Sequence, residues 1–161
     1  MTELDETEPR RIFLSPGEVI AAAEPSLITT VLGSCVAVTL WDKNRQIGGV
    51  NHFVLPRGGD TTRYGDSAMA ELLDGVVSLG AHLRSLEAKI FGGAAVLPVG
   101  GPGSVGAANV AFALGELSRR GIPVAGRRTG GERGRLLMFN TETGEAFVRW
   151  LAEHEPLPAA S

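Results

Sequence analysis

Several features that would place a chain in a common class are scarce in this sequence. Cys35 is the only cysteine among 161 residues, which excludes an internal disulfide framework and suits a reducing compartment. Lys and Arg total 15 against 18 Asp and Glu, for a net charge of −3, and no basic cluster is longer than a pair. This charge balance argues against nucleic acid as a partner.

Targeting and membrane signals are also missing. The chain starts with Met-Thr-Glu-Leu-Asp-Glu-Thr-Glu, which is acidic where a signal peptide is basic and then apolar. Residues 90–115 carry no charge, but they contain many glycines together with Pro98 and Pro102. That composition is typical of loops between buried elements rather than of a bilayer span. We predict a cytoplasmic protein without membrane insertion.

Length and composition predict one folded domain between two short tails. A chain of this length holds one domain with its own core but not two of ordinary size. Residues 1–10 are acidic and poor in apolar side chains, which predicts a disordered tail. The domain is expected over 11–151. Residues 152–161, with Pro156 and Pro158, are expected to form a flexible C-terminal tail.

Hydrophobic spacing predicts an α/β fold. Apolar residues three and four apart predict a helix over 66–79, ended by Gly80, and a second over 108–120, ended by Gly121. Two helices among many short strands favour a single-domain layered structure, with both helices on one face of a mostly antiparallel sheet system. Strands are predicted at 11–14, 27–31, 36–41, 46–55, 86–91, 122–125, 135–139 and 146–151.

A candidate nucleophile and its base lie on one predicted hairpin. A polar turn centred between Lys43 and Asn44 would place Cys35 opposite His52 on the two flanking strands. Directly opposed side chains share a face, with Cβ atoms roughly 4.5–5.5 Å apart, which lets a thiol and an imidazole interact. A slip of one residue would send them to opposite faces. The register is therefore a definite prediction.

A nucleophilic cysteine needs such a neighbour. A thiol with a pKa of about 8.5 is mostly protonated at neutral pH, so we expect His52 to act as a base and the pKa of Cys35 to be lowered. Taken alone, a single cysteine is more often a packing residue, and a strand histidine is more often only hydrogen-bonded. Thr29 and Thr30 can each orient the far nitrogen of His52, and the residues themselves do not choose between them.

The remaining motifs carry less weight. His82 and His154 have no metal-ligand spacing with other His, Cys or acidic residues, so neither a metal site nor a cofactor is predicted. Residues 101–106 match G-x-G-x-x-G ahead of a helix. Because Pro102 interrupts that turn and no acidic residue closes the next strand, a connecting loop is a better interpretation than a dinucleotide site.

Five segments form a set that points to a known family. They are Thr29-Thr30-Val31-Leu32-Gly33-Ser34-Cys35-Val36-Ala37-Val38, Asn51-His52-Phe53-Val54-Leu55-Pro56, Tyr64-Gly65, Ala88-Lys89-Ile90-Phe91-Gly92-Gly93-Ala94, and Gly130-Gly131 ahead of Gly134-Arg135. This set resembles the CheD family of chemoreceptor glutamine deamidases, over roughly residues 12–150. One departure is Gly106-Ala107-Ala108-Asn109, where the family usually has a Gly-Glu-Arg-Asn-like segment.

The resemblance implies a fold, a reaction and a site. It implies an α/β/β sandwich that hydrolyses glutamine side chains on the cytoplasmic helices of chemoreceptors through a thioester, with a CheC-like phosphatase as a further partner. The family's nucleophile, base and threonine fall on Cys35, His52 and Thr29. Backbone N–H groups near the nucleophile, with Gly33 and Ser34, are expected to hold the developing oxyanion. The rival hypothesis is a docking module in which catalysis is secondary or lost.

Overall fold

Two stacked sheets and two helices make up the structure. The computed structural model describes residues 8–96 and 104–152, so most of the two predicted tails lies outside the described residues. The helices are α1 (Gly65–Ser78) and α2 (Val105–Arg119), with a short 3₁₀ helix at Leu83–Ser85. The strands are β1 (Arg10–Phe13), β2 (Val19–Ala22), β3 (Ser26–Leu32), β4 (Val36–Asp42), β5 (Ile47–Asn51), β6 (Leu86–Gly92), β7 (Val124–Thr129), β8 (Arg135–Asn140) and β9 (Ala146–Trp150).

The layers confirm the predicted fold class. A four-stranded sheet has the order β1-β3-β8-β9, and a five-stranded sheet has the order β2-β5-β4-β6-β7. Most strand pairs are antiparallel, while β1–β3 and β6–β7 are parallel. Both helices pack on the five-stranded sheet, and the four-stranded sheet covers its other face. One apolar core therefore lies between helices and sheet, and a second lies between the two sheets.

Each helix follows from its apolar spacing and its cap. In α1 the residues at spacings of three and four, Ala68, Met69, Leu72 and Val76, are fully buried. Helix α2 begins three residues before the predicted start because the Ser104 hydroxyl accepts a hydrogen bond from the Ala107 amide, which satisfies one amide of the first turn. Helix α2 connects the parallel strands β6 and β7. In the described part of the chain no helix is long and apolar enough to cross a membrane.

The hairpin of β4 and β5 forms, but its predicted register is wrong. The turn is 43–46, and Trp41 pairs with Gly48 instead of Gln46. The Asp42 carboxylate accepts hydrogen bonds from the amides of Asn44, Arg45 and His82. Burial alone would raise the pKa of Asp42, but these three bonds together with the charge of Arg45 outweigh it and hold that pKa below its usual value. Asp42 thus closes a longer turn, with Gln46 at a φ of 57°.

One strand was not predicted. Residues 19–22, which are not among the predicted strands, form β2, which pairs antiparallel with β5 from Val19 opposite Asn51 to Ala22 opposite Gly48. Four residues are too few to show a clear alternation. Strand β2 forms because β5 offers a second edge to pair with.

Candidate active site

Cys35 lies at the entrance to β4, in the apolar layer between the two sheets. Residues 33–35 join β3 of one sheet to β4 of the other. The Cys35 side chain has no exposed surface and belongs to the inter-sheet cluster with Ala37, Val50 and Phe91. The nucleophile candidate is therefore held by packing on both sides.

His52 follows β5 directly and is equally buried. Its Nδ1 lies 2.7 Å from the hydroxyl of Thr30, and the same hydroxyl donates to the Leu14 carbonyl at 2.7 Å. A carbonyl oxygen can only accept, so the single hydroxyl hydrogen of Thr30 is committed to Leu14. The hydroxyl therefore accepts from Nδ1–H, which fixes the tautomer and leaves Nε2 with its lone pair.

Thr30, and not Thr29, is the threonine whose hydroxyl is hydrogen-bonded to His52. Side chains alternate along a strand, and in β3 the residues facing the inter-sheet core are Ile28, Thr30 and Leu32, all fully buried. Thr29 is half-buried on the opposite face. The resemblance implies Thr29, six residues before the cysteine, and that position lies on the outer face of β3, away from His52.

The corrected register keeps Cys35 and His52 on one face. Val36 bridges Phe53, so Cys35 lies opposite Val54 and His52 opposite Ala37. The predicted direct pair is therefore a diagonal pair. Diagonal neighbours on one face are about 7–8 Å apart, still within reach of long side chains. The error was two residues, an even number, and so the predicted shared face holds.

Both groups are neutral at rest. Burial, the largest effect, raises the pKa of the Cys35 thiol to about 11, and the positive charge of Arg63 offsets only part of that. Burial and Arg63 both lower the pKa of His52, to about 4. The expected lowering of the Cys35 pKa is therefore wrong for this structure, because desolvation disfavours the thiolate more than the neighbouring charge favours it. The pair is a thiol beside a neutral imidazole.

Asn109 of α2 joins the two segments that carry these side chains. It is fully buried, and its Nδ2 donates to the carbonyls of Ser34, at 3.0 Å, and Val54, at 2.9 Å. Both amide hydrogens are thus used. Within the described residues its Oδ1 has no hydrogen-bond partner, and neither has Nε2 of His52. Asn109 is the last residue of the Gly106-Ala107-Ala108-Asn109 segment, which departs from the family pattern. Its contact with both segments could not be predicted from the sequence.

Glycine is required where β6 meets the cysteine. Gly92 has a φ of 104°, and a Cβ there would come within 2.2 Å of the Cys35 carbonyl oxygen. The next amide, of Gly93, donates to that oxygen at 2.8 Å. The absence of side chains at Gly92 and Gly93 therefore allows the end of β6 to lie against the backbone of Cys35. Gly33 and Ser34 form the turn before Cys35, while the Val36 amide is committed to Phe53.

The other histidine that the structure describes has a structural role. His82 lies just before the 3₁₀ helix, and its side chain accepts from the Arg84 amide. In the described ranges, no three His, Cys, Asp or Glu residues are grouped as metal ligands. His154 lies outside those ranges, as does the first half of the G-x-G-x-x-G segment, residues 101–103. Arg63 was missed from sequence because it is an isolated arginine in a loop, and only the fold places its charge near both site residues.

Comparison with known proteins gives a consistent family. The family model described as CheD chemotactic sensory transduction matches residues 55–150. A Rhodospirillum rubrum protein named "Probable chemoreceptor glutamine deamidase CheD" is 51% identical over 141 residues, covering 85% of this chain and 80% of the relative. Relatives from Anaeromyxobacter dehalogenans and Trichlorobacter lovleyi, with the same type of name, are 45% and 43% identical over 88% and 89% of this chain, covering 85% and 92% of the relatives.

The extent of these alignments bears on the site. The family model begins at residue 55, after Thr30, Cys35 and His52. An alignment that covers 85% of 161 residues, or about 137 of them, must begin by about residue 26. The similarity to the Rhodospirillum rubrum protein therefore includes the segments that carry all three residues.

Proposed function

This chain belongs to the CheD family, and from that premise we propose that it hydrolyses glutamine side-chain amides of chemoreceptors, with Cys35 as nucleophile and His52 as its base. The observation that carries the proposal is the arrangement of hydrogen bonds at His52. Nδ1 is held by Thr30, which is itself bonded to Leu14. Nε2 is left as the basic nitrogen, on the face that Cys35 shares.

The first half of the reaction forms a thioester. His52 Nε2 takes the thiol proton as Sγ attacks the carboxamide carbon, and the amides near Gly33 and Ser34 hold the oxyanion that develops. The imidazolium then gives its proton to the amide nitrogen. The C–N bond breaks, ammonia leaves, and the acyl group stays on Cys35.

The second half releases the product. A water loses a proton to Nε2 as its oxygen attacks the thioester carbon. The C–S bond breaks, the sulfur regains the proton, and glutamate is formed. Because both groups are neutral at rest, the proton moves only when a substrate carbon accepts the sulfur. This is general-base catalysis, in contrast to a preformed thiolate-imidazolium pair.

The test is the intact mass of a purified receptor cytoplasmic fragment after incubation with this protein. Each deamidation adds about one mass unit, because NH₂ is replaced by OH, and peptide mapping locates the glutamine. We expect a gain with the wild type and none with Cys35→Ala. If the wild type binds the fragment and no mass is gained, the enzyme proposal fails and a docking module is the better description.

A covalent acyl-enzyme on Cys35 distinguishes this mechanism from one in which water attacks the glutamine amide directly. His52→Gln keeps the thiol but removes the base, so rapid acid quenching should trap less acyl-enzyme than in the wild type. Mass spectrometry of the intact enzyme would detect the adduct on Cys35. A deamidation rate in Cys35→Ala equal to that of the wild type would exclude the thioester.

A further inference from the structure

A basic groove runs between the outer edges of the two sheets. Among residues 8–96 and 104–152, strand β7 pairs only with β6 and β9 only with β8, so these residues leave one edge of each strand unpaired. Two adjoining cavities of about 490 and 360 Å³ share Arg128 and Val148 and are lined from both strands. We call these two cavities, with their lining residues, the β7–β9 groove.

The charge of this groove is opposite to that of the whole chain. The lining contains no acidic residue among the described ones, although acidic residues outnumber basic ones by 18 to 15 overall. No ion pair in the described part of the chain involves Arg127 or Arg128, and both are exposed. The basic side chains that line it are Lys89, Arg127, Arg128, Arg135 and Arg149.

Aromatic surface lies beside these charges. Phe147 is 61% exposed and Trp150 is 49% exposed, both on β9. Trp150 is held in place, with the Arg135 guanidinium 4.4 Å from its ring centroid and Gly131 against its ring edge. Cationic side chains around a fixed, exposed aromatic ring are typical of binding hot spots.

The groove lies close to the candidate active site. Val36, next to the cysteine, pairs with Gly92, which pairs with Thr129 at the end of β7. Adjacent strands are about 4.8 Å apart, so that end of the groove lies roughly 10 Å from the strand that carries the nucleophile. A segment bound along the groove would reach Cys35 within a few residues of its own length.

From this surface we propose that the β7–β9 groove docks an acidic segment of the protein substrate, with an apolar side chain of that segment against Phe147 and Trp150. The proposal rests on the proposed function for the identity of the substrate as a receptor. Charge complementarity selects the segment, because the exposed Arg127 and Arg128 belong to no ion pair in the described part of the chain, so they favour carboxylates and reject basic sequences. A protein is favoured over nucleic acid because the groove also offers two open strand edges and an apolar rim.

The decisive experiment compares two charge reversals. Arg127→Glu with Arg128→Glu changes the groove, and Arg10→Glu with Arg11→Glu makes the same change on exposed, consecutive arginines of edge strand β1. Binding of a cognate receptor cytoplasmic fragment is measured in the Cys35→Ala background, which prevents turnover. We expect the groove pair to weaken binding about tenfold or more and the β1 pair to change it less than twofold, with wild-type affinity falling as salt is raised.

Activity measurements separate this proposal from the proposed function. In the wild-type background the groove pair should lower kcat/KM for the receptor fragment while the rate on a short uncharged glutamine peptide stays unchanged. If the wild type deamidates the fragment and the groove pair has no effect, the docking proposal is overturned. If nothing is deamidated and the groove pair still abolishes binding, the groove stands and the catalytic proposal fails.

Two further measurements complete the test. Thermal melting of the groove pair should match the wild type, and Arg127→Gln with Arg128→Gln gives a milder change if it does not. A wild-type protein that binds a single-stranded oligonucleotide more tightly than the receptor fragment, through the same arginines, would overturn the choice of an acidic protein segment.

Discussion

At the scale of single residues, the candidate site depends on one hydroxyl and on burial. Thr30 fixes the protonation of His52 because its own hydrogen is bonded to Leu14. Burial keeps both His52 and Cys35 neutral. The consequence is that His52 presents an unprotonated Nε2 at neutral pH without needing a charged partner, which is the state that general-base catalysis requires.

The two adjacent threonines give a matched test of this arrangement. Thr30→Val keeps the shape of the side chain and removes the acceptor for Nδ1–H, so the favoured tautomer is lost. We expect kcat to fall about 10- to 100-fold, by analogy with the large losses when a catalytic histidine takes the wrong tautomer. Thr29→Val, on the outer face of the same strand, should change kcat less than twofold. Steady-state deamidation of the receptor fragment measures both.

Equal losses in the two variants would contradict the assigned role of Thr30. A control for folding is the thermal melt, since Thr30→Val also leaves the Leu14 carbonyl without its donor. Thr30→Ser keeps a hydroxyl at this position, so its kcat should be much closer to that of the wild type than the kcat of Thr30→Val. A purely structural defect would not be rescued in this selective way.

At the scale of elements, the site depends on how helix α2 is docked on the sheet. The proposed nucleophile follows β3, the proposed base follows β5, and Asn109 of α2 bonds to both segments. The residues are far apart in sequence, so their distance is set by packing. Movement of α2 away from the sheet would break both bonds together.

Removing the two hydrogen bonds of Asn109 should lower kcat by more than the loss of helix stability accounts for. Asn109→Ala removes the Asn109 donor from two part-buried carbonyls, at about 1–3 kcal/mol each, so we expect a loss of about 2–6 kcal/mol in the free energy of unfolding. We also expect kcat to fall well below that of the wild type at temperatures where the variant is folded. Urea denaturation gives the stability, and deamidation kinetics give kcat.

Ser104→Ala provides the control on the same helix. It removes the N-terminal cap, which costs typically about 1 kcal/mol, but it touches neither Ser34 nor Val54. Its kcat should stay near the wild-type value. If Ser104→Ala lowers kcat as much as Asn109→Ala, the effect comes from the helix as a whole and not from the bonds of Asn109.

At the scale of the whole molecule, the buried site residues shape stability as a function of pH. The pKa of His52 is about 4 in the folded protein, and the ordinary value of 6.5 applies in the unfolded chain. Between these two pH values the unfolded chain therefore binds more protons than the folded protein. The contribution of His52 to the free energy of unfolding is therefore fully present above pH 6.5, and it is lost as the pH drops toward 4. The pKa of Cys35 rises from 9.0 to about 11, so stability also falls as pH rises through that range.

The acid side gives the measurable prediction. A difference of two and a half pKa units corresponds to about 3 kcal/mol, lost for the wild type between pH 6.5 and 4 beyond what other groups contribute. In His52→Gln this part of the pH dependence should be absent, whatever the variant's stability at pH 7. Urea denaturation at several pH values measures both slopes. Parallel slopes for the two proteins would show that His52 titrates normally in the folded state.

The sequence by itself determined both helices, every strand except β2, and the face shared by the two site residues. Apolar spacing located both helices within three residues of their ends. An even error in the hairpin register left Cys35 and His52 on one face, because side chains in a strand repeat every two residues. The alternation in β3 likewise required that Thr29 and Thr30 point in opposite directions.

Only the tertiary structure decided which of these possibilities is real. Thr30 faces His52 because the sheet that contains β5 covers that side of β3. The register was set by Asp42, which bonds to the distant His82 amide as well as to its own turn. Asn109, Arg63 and the β7–β9 groove depend on contacts between segments far apart in the chain. Local periodicity records which way a side chain points, but burial and long-range packing determine what it meets and how readily it ionises.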